Sequence, residues 1–285
     1  MFRFFYLHTV MKTFIKWQGS KTRYIKHITP LLPEKYNTYI EPFIGSGALI
    51  LHLQPKKWVI NDLNSDLINA WNLVKKSPEE IIKKFKEYGR KFIPLNREDK
   101  KLYCRELMKK MISLPSSVER TILYLFLTYC AYSGVIYNSK GFFFNSLDMR
   151  IYITNRCFFL EDKYNTNLKN ASVFLNNASG KIYNKDYKDI LSKAKKNDFV
   201  FMDPPYIEDK NYGFNYNKDE KLDNKFITDL LLECKKLDKK EVMWLMTQSD
   251  THQVRKTFKD YKITEFKVYR AVTKTYTTEL IIKNY

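Results

Sequence analysis

An α/β fold is predicted for this chain by three observations. A short apolar segment runs through a glycine turn into a helix start, and a second ends in an acidic residue shortly afterwards. A third apolar run, much later, stops at two consecutive prolines. Between the second and third lies a long stretch with apolar residues at three- and four-residue spacing, which reads as helices inserted into the strand pattern.

The first segment is Tyr39-Ile40-Glu41-Pro42-Phe43-Ile44-Gly45-Ser46-Gly47-Ala48-Leu49: strand, turn, helix start. Gly45 and Gly47 let backbone approach a ligand closely and reach φ values closed to other residues. Trp58-Val59-Ile60-Asn61-Asp62 is the second strand, ending in an acid about 20 residues after the first, as in a Rossmann-like arrangement where that carboxylate takes the ribose hydroxyls. Turn chemistry before the next helix is the plainer reading of Asp62. Asn64-Ser65-Asp66 supplies caps for a helix over Leu67 to Val74.

The glycine turn lacks the full G-x-G-x-x-G pattern, and no phosphate-binding lysine follows it. Those features point to a nucleoside ligand without pyrophosphate, and S-adenosyl-L-methionine fits. Upstream, Phe14-Ile15-Lys16-Trp17-Gln18-Gly19-Ser20-Lys21 offers an aromatic ring, a glycine turn and a cation before an amphipathic helix over Tyr24 to Leu32. Trp17 could pack on the ligand and Lys21 could meet a carboxylate on its tail. Core packing and a solvated charge are the structural alternatives.

The third run, Asp198-Phe199-Val200-Phe201-Met202, reads as a buried strand and leads into Asp203-Pro204-Pro205-Tyr206. The prolines stop the ladder, since neither has an N–H and each fixes φ. A carboxylate, a free proline carbonyl and a ring suit a planar exocyclic amine. Asp203 and the carbonyl of Pro204 accept its two N–H bonds, and Tyr206 stacks on the heterocycle. A capped turn after a core strand is the alternative.

Composition agrees with a polyanionic partner: 50 basic and 31 acidic side chains give a formal charge of +19. The excess is mostly lysine and is spread along the chain. Cys104, Cys130, Cys157 and Cys234 form no CxxC pair, and His8, His27, His52 and His252 stand apart, so no metal site is expected. No apolar run approaches the roughly 20 residues of a membrane span. The expectation is a soluble intracellular protein, with residues 1–10 a dispensable extension before Met11.

Taken together, Lys16 to Lys21, Glu41 to Gly47, Asn61 to Leu67 and Asp203 to Tyr206 resemble the Dam-like DNA N6-adenine methyltransferases, in that family's order. The resemblance implies a methyltransferase sheet of about seven strands with helices on both faces, plus a mainly helical recognition insert. Residues 11–75 and 170–285 would form the catalytic part and 76–169 the insert. It implies S-adenosyl-L-methionine held by Trp17, Gly19, Lys21, Glu41, Phe43, Gly45 and Gly47, with Asp62 on its ribose and Asp186 and Tyr187 at its adenine. Asp203 would border both cofactor and target. Spacing alone leaves Asp186-Tyr187 as a helix cap. Asp203, Pro204, Pro205 and Tyr206 would hold an adenine flipped out of double-stranded DNA.

The insert's helices are expected over Glu79 to Tyr88, Glu98 to Ile112 and Ser116 to Tyr132, the last being its core. In the loop that follows, Tyr132, Ser133, Asn138, Lys140 and Arg150 are candidate DNA contacts. Ser133 stands where the family has Asn, no guanine-reading arginine flanks Tyr137, and a Phe-Asn-Val-Pro element survives only as Phe144-Asn145-Ser146-Leu147. GATC is therefore not carried over as the target. Thr247-Gln248-Ser249-Asp250 replaces the family's Ser-Asn, Thr278 to Ile282 matches its last strand, and Asp209 to Asn217 reads as a loop over the site. Two alternatives stay open: an RNA adenine methyltransferase, which needs no flipping, and a catalytically degenerate relative that binds nucleic acid through charge.

Overall fold

The computed structural model describes residues 11–138, 141–154, 161–206, 224–270 and 275–285. The strands are β1 (Tyr39–Glu41), β2 (Lys57–Asn61), β3 (Tyr137–Asn138), β4 (Gly141–Phe142), β5 (Ser179–Tyr183), β6 (Phe199–Met202), β7 (Met243–Ser249), β8 (Lys262–Arg270) and β9 (Thr275–Lys283). Seven of them form one sheet in the order β5-β2-β1-β6-β7-β9-β8, and β3 and β4 form a separate small ladder. β5, β2, β1, β6 and β7 run parallel, whereas β9 is antiparallel to both β7 and β8.

Strands buried on both faces read as continuous apolar runs, and every residue of β6 is buried. Side chains still alternate between two cores. Phe199 and Phe201 join one core, with Tyr39, Trp58 and Ile60, against the helices Ser65–Lys76, Pro78–Phe92, Arg97–Ser113, Val118–Cys130 and Asp162–Asn177. Val200 and Met202 join the other, with Trp244 and Leu280, against Tyr187–Leu191, Asn224–Lys239 and His252–Thr257. The sheet is thus covered on both faces. Its strand order reverses between β1 and β6, the switch point at whose carboxyl ends such sheets bind ligands.

Local chemistry sets the helix ends. Asn64 accepts from the Leu67 N–H, Asn96 from that of Asp99 and Ser117 from that of Arg120, each an N-cap. The single helix expected over Tyr24 to Leu32 is instead two short pieces, Ile25–Ile28 and Thr29–Leu31, preceded by a 3-10 turn at Lys21–Arg23. Pro30 has no N–H with which to continue an α-helix. The Asp162–Asn177 helix carries the chain back from the insert and runs through position 170. Residues 1–10, Lys140 and the 209–217 loop lie outside the described residues. Among those described, no helix is long and apolar enough to cross a membrane.

Candidate active site

Asp203 leaves the sheet directly after β6. Its Oδ1 receives the Lys21 ammonium at 2.7 Å and the Thr247 hydroxyl at 2.7 Å. Lys21 is buried, also donates to the Gly19 carbonyl at 3.1 Å, and lies 4.6 Å from the ring centre of Tyr206 and 5.1 Å from that of Tyr24. Lys21, expected against a ligand carboxylate, is here engaged by Asp203 and two aromatic rings. The hydroxyls of Tyr206 and Tyr24 each donate to a different oxygen of Glu279, both at 2.7 Å. Gln248 donates to the Pro205 carbonyl at 3.4 Å.

A second group of residues stands at the ends of β1 and β2. Gly45 and Gly47 have φ of 44° and 63°, in the left-handed region. A Cβ on Gly45 would lie 2.9 Å from the Trp17 indole nitrogen, and one on Gly47 2.4 Å from the Trp71 ring, so both turns require glycine. Asp62 accepts the Gly45 N–H at 3.1 Å and the Asn64 N–H at 3.0 Å. Burial nevertheless pushes its carboxyl up to about 6, against the downward pull of the Asn64, Gly45 and Leu63 N–H groups.

Glu41, fully buried at the end of β1, is raised well above the ordinary carboxylate range, first by burial. Its hydrogen bond from the Tyr39 hydroxyl at 2.7 Å opposes that rise, and the nearby charges of Asp203 and Asp62 add to it. Phe43 lies against Tyr187, ring centres 5.1 Å apart. Asn61 and Asn184 pin the Asn184–Tyr187 segment to the end of β2. Asn61 bonds the Lys185 carbonyl and N–H at 2.9 Å each, and Asn184 reaches the Asp62 carbonyl at 2.8 Å. Asp186 spends its carboxylate as the N-cap of Tyr187–Leu191, accepting from Lys188 at 2.8 Å.

Trp17, Gly19, Lys21, Glu41, Phe43, Gly45, Gly47, Asp62 and Asp203 are therefore gathered at the carboxyl ends of β1, β2 and β6, with Tyr206 on the Lys21 side. Tyr24, Thr247, Glu279, Asn61 and Asn184 join these residues, although the sequence alone marks none of them as a site residue. Their roles depend on strand register and on neighbours far along the chain. The only trace in sequence is that polar residues stand in or beside apolar runs.

Of the candidate DNA contacts, Tyr132, Ser133 and Asn138 follow the Val118–Cys130 helix, and Arg150 is in a short helix, Met149–Thr154. Tyr132 is exposed, its N–H held by Ser146 at 2.9 Å, and Ser133 has φ of 53°. Asn138 is in β3, opposite Gly141. Arg150 bonds Asp148 at 3.1 Å, and Asp148 also pairs with Lys16, whose ammonium reaches the Ala131 carbonyl as well. Position 134 requires glycine: its φ is 75°, and a Cβ there would lie 2.3 Å from the Lys16 carbonyl oxygen. The loop is thereby fastened to the segment carrying Trp17.

A family model for D12 class N6 adenine-specific DNA methyltransferases matches residues 17–272. The chain belongs to that family. It transfers a methyl group to N6 of adenine in DNA, and the RNA reading is not favoured. This D12 methyltransferase is 31% identical to the Type II methyltransferase M1.LlaDCHI of Lactococcus lactis subsp. cremoris, over 96% of each chain. It is 27% identical to the DNA adenine methylase of Haemophilus influenzae, over 92% of this chain and 88% of that one. The Type II methyltransferase M.MjaIII of Methanocaldococcus jannaschii is 31% identical over 69% of each.

Proposed function

We propose that the enzyme uses S-adenosyl-L-methionine and acts on an adenine turned out of double-stranded DNA. The observation that carries this is the setting of Asp203. Lys21 and Thr247 fix Oδ1, and no described residue donates to Oδ2 or to the carbonyl of Pro204. Those two oxygens are a matched pair of acceptors for an exocyclic amine. Accepting both hydrogens favours a pyramidal nitrogen and directs its lone pair outward, so Asp203 and Pro204 raise the nucleophilicity of an amine otherwise delocalised into its ring. Positioning and electrostatics supply the catalysis, by direct in-line attack without a covalent enzyme intermediate.

The residues present suit the cofactor. Glu41 is a desolvated acid whose ionised form a ligand ammonium would stabilise, and Asp62 stands where it can take ribose hydroxyls. Trp17, Gly19, Lys21, Phe43, Gly45 and Gly47 would complete the methionine side, with Asp186 and Tyr187 at the adenine. When bound, the cofactor supplies an electrophilic methyl group on a cationic sulfur. Extruding the target base costs a few kcal/mol, and stacking on Tyr206 offsets roughly 1–3 kcal/mol of it.

Residues 11–75 and 170–285 do this chemistry, and 76–169 read the DNA through Tyr132, Ser133, Asn138, Lys140 and Arg150. Two measurements test the reading. Calorimetry with S-adenosyl-L-methionine is expected to show one site per chain, and no binding contradicts the cofactor assignment. Methyl transfer to a duplex is expected to exceed transfer to an RNA of equal sequence, and the reverse order contradicts the duplex assignment.

A further inference from the structure

We propose that Glu279 is a positioning residue for Tyr206, and that its clamp on this ring, shared with Tyr24, sets the angle of the platform on which the target base stacks. The inference rests on Tyr206 being that platform.

Tyr206 needs such a clamp. It stands four residues beyond the end of β6, after two prolines, so no ladder hydrogen bond of the sheet fixes its backbone. Its ring is set from outside. The hydroxyl donates to Glu279 Oε2 at 2.7 Å, and the Lys21 ammonium sits 4.6 Å from the ring centre. Glu279 is itself held rigidly. It is 1% exposed and lies in the β7–β9 ladder opposite Ser249, and its Oε1 takes the Tyr24 hydroxyl at 2.7 Å. Tyr24 is braced in turn by an edge-on contact with Phe266, ring centres 5.4 Å apart.

The carboxylate thus holds two phenols, and Lys21 lies close to both of their rings while pairing with Asp203. With the cation on the Tyr206 ring, the base is assigned to the opposite face. Glu279 fixes where that face points relative to Asp203, and it touches neither base nor methyl donor. Its removal is therefore expected to lower turnover and leave donor affinity unchanged. Misplacing a reacting group by about 1 Å can cost up to about 100-fold.

The test uses the full chain with two duplexes of one sequence: one with adenine at the target, for transfer rates, and one with 2-aminopurine there, which lacks the N6 amine and reports only the flipped state by its emission. Single-turnover rates, donor affinity and 2-aminopurine emission are measured for Glu279→Gln, Tyr206→Phe, Tyr24→Phe and the Glu279→Gln/Tyr206→Phe double variant. Tyr206→Ala serves as the unstacked reference. Glu279→Gln and Tyr206→Phe are each expected to slow transfer by about 10- to 100-fold, with donor affinity within about twofold. The double variant should lose less than the product of the two single losses, because both changes weaken the same Glu279–Tyr206 contact and only Glu279→Gln also weakens the one to Tyr24. Emission from the flipped probe should rise in Glu279→Gln toward the Tyr206→Ala level.

Rates and emission of Glu279→Gln and Tyr206→Phe both matching the unmodified enzyme would overturn the proposal, as would losses that multiply in the double variant. Should Glu279→Gln fail to fold, Tyr206→Phe and Tyr24→Phe decide the matter, since each removes one hydroxyl and keeps Glu279. Tyr206→Ala separates the two levels of assignment. Normal turnover and emission there would remove Tyr206 as the platform, whereas a loss there with normal Glu279→Gln would remove only the clamp.

Discussion

Asp62 and Glu41 are buried acids at the ends of adjacent strands, and both titrate above their ordinary range. For Asp62 the rise is from 3.8 to about 6, so the folded chain holds this proton more tightly than the unfolded one. The stability carried by the neutral acid is complete below about pH 4 and is lost as pH rises through about 6. With Asp62 in its proposed ribose role, ligand affinity should run the other way, because hydroxyls donate to the ionised form. Donor affinity is expected to weaken as pH falls through that range. In Asp62→Asn it should be at least about 10-fold weaker throughout, and the melting temperature should depend less on pH; calorimetry and thermal melts across pH 4–8 check both.

The residue types of this site were legible because the chemistry demands them locally. Gly45 and Gly47 announce a turn with positive φ, and Asp203-Pro204-Pro205-Tyr206 announces a stiff strand end. Glu279 was not legible as a partner of Tyr206: the two are 73 positions apart and meet only through the β7–β9 register. The pairing of Lys21 with Asp203 was not legible either, because sequence shows which charges exist and not which neighbours they find.

Among the elements, the Asp66–Arg120 pair ties the Ser65–Lys76 helix to the Val118–Cys130 helix. Two parallel hydrogen bonds of 2.7 and 2.9 Å join them. Arg120 also donates to the carbonyls of Met111 and Leu114 at 3.0 Å each, closing the end of the Arg97–Ser113 helix. Both partners are largely shielded from solvent. Arg120→Ala leaves Asp66 buried without its counter-charge, at an expected cost of about 3–5 kcal/mol, measurable by urea denaturation. A loss below about 1 kcal/mol would place the pair with ordinary surface bridges.

Elements whose burial is one-sided or complete were readable from pattern, as β6 and the helices Pro78–Phe92, Arg97–Ser113 and Val118–Cys130 were, whereas Met149–Thr154 and Asp162–Asn177 were not. β5 was not, since Ser179-Gly180-Lys181-Ile182-Tyr183 is a polar edge strand with little apolar run. The Tyr24 to Leu32 segment has helical spacing, and Pro30 divides it regardless.

For the molecule as a whole, the helices between β2 and β5 and one face of the sheet share a continuous core, so the loop after the Val118–Cys130 helix is mounted on the sheet. The Lys16–Asp148 pair and the close approach of Gly134 to Lys16 fasten it further. A net charge of +19 adds a sequence-independent attraction to phosphates. Duplex affinity is expected to fall by about 1,000-fold or more between 50 and 200 mM salt, if roughly six phosphates are contacted. Binding by fluorescence anisotropy at several salt concentrations checks this, and a flat salt profile would contradict it.

The most direct measurement is nucleoside mass spectrometry of duplex DNA incubated with S-adenosyl-L-methionine and either the unmodified enzyme or Asp203→Ala. The expected result is N6-methyladenine from the unmodified enzyme and at least about 100-fold less from the variant, with DNA binding largely retained. A variant that still methylates at a near-normal rate, or an unmodified enzyme that yields no N6-methyladenine, would contradict the role assigned to Asp203.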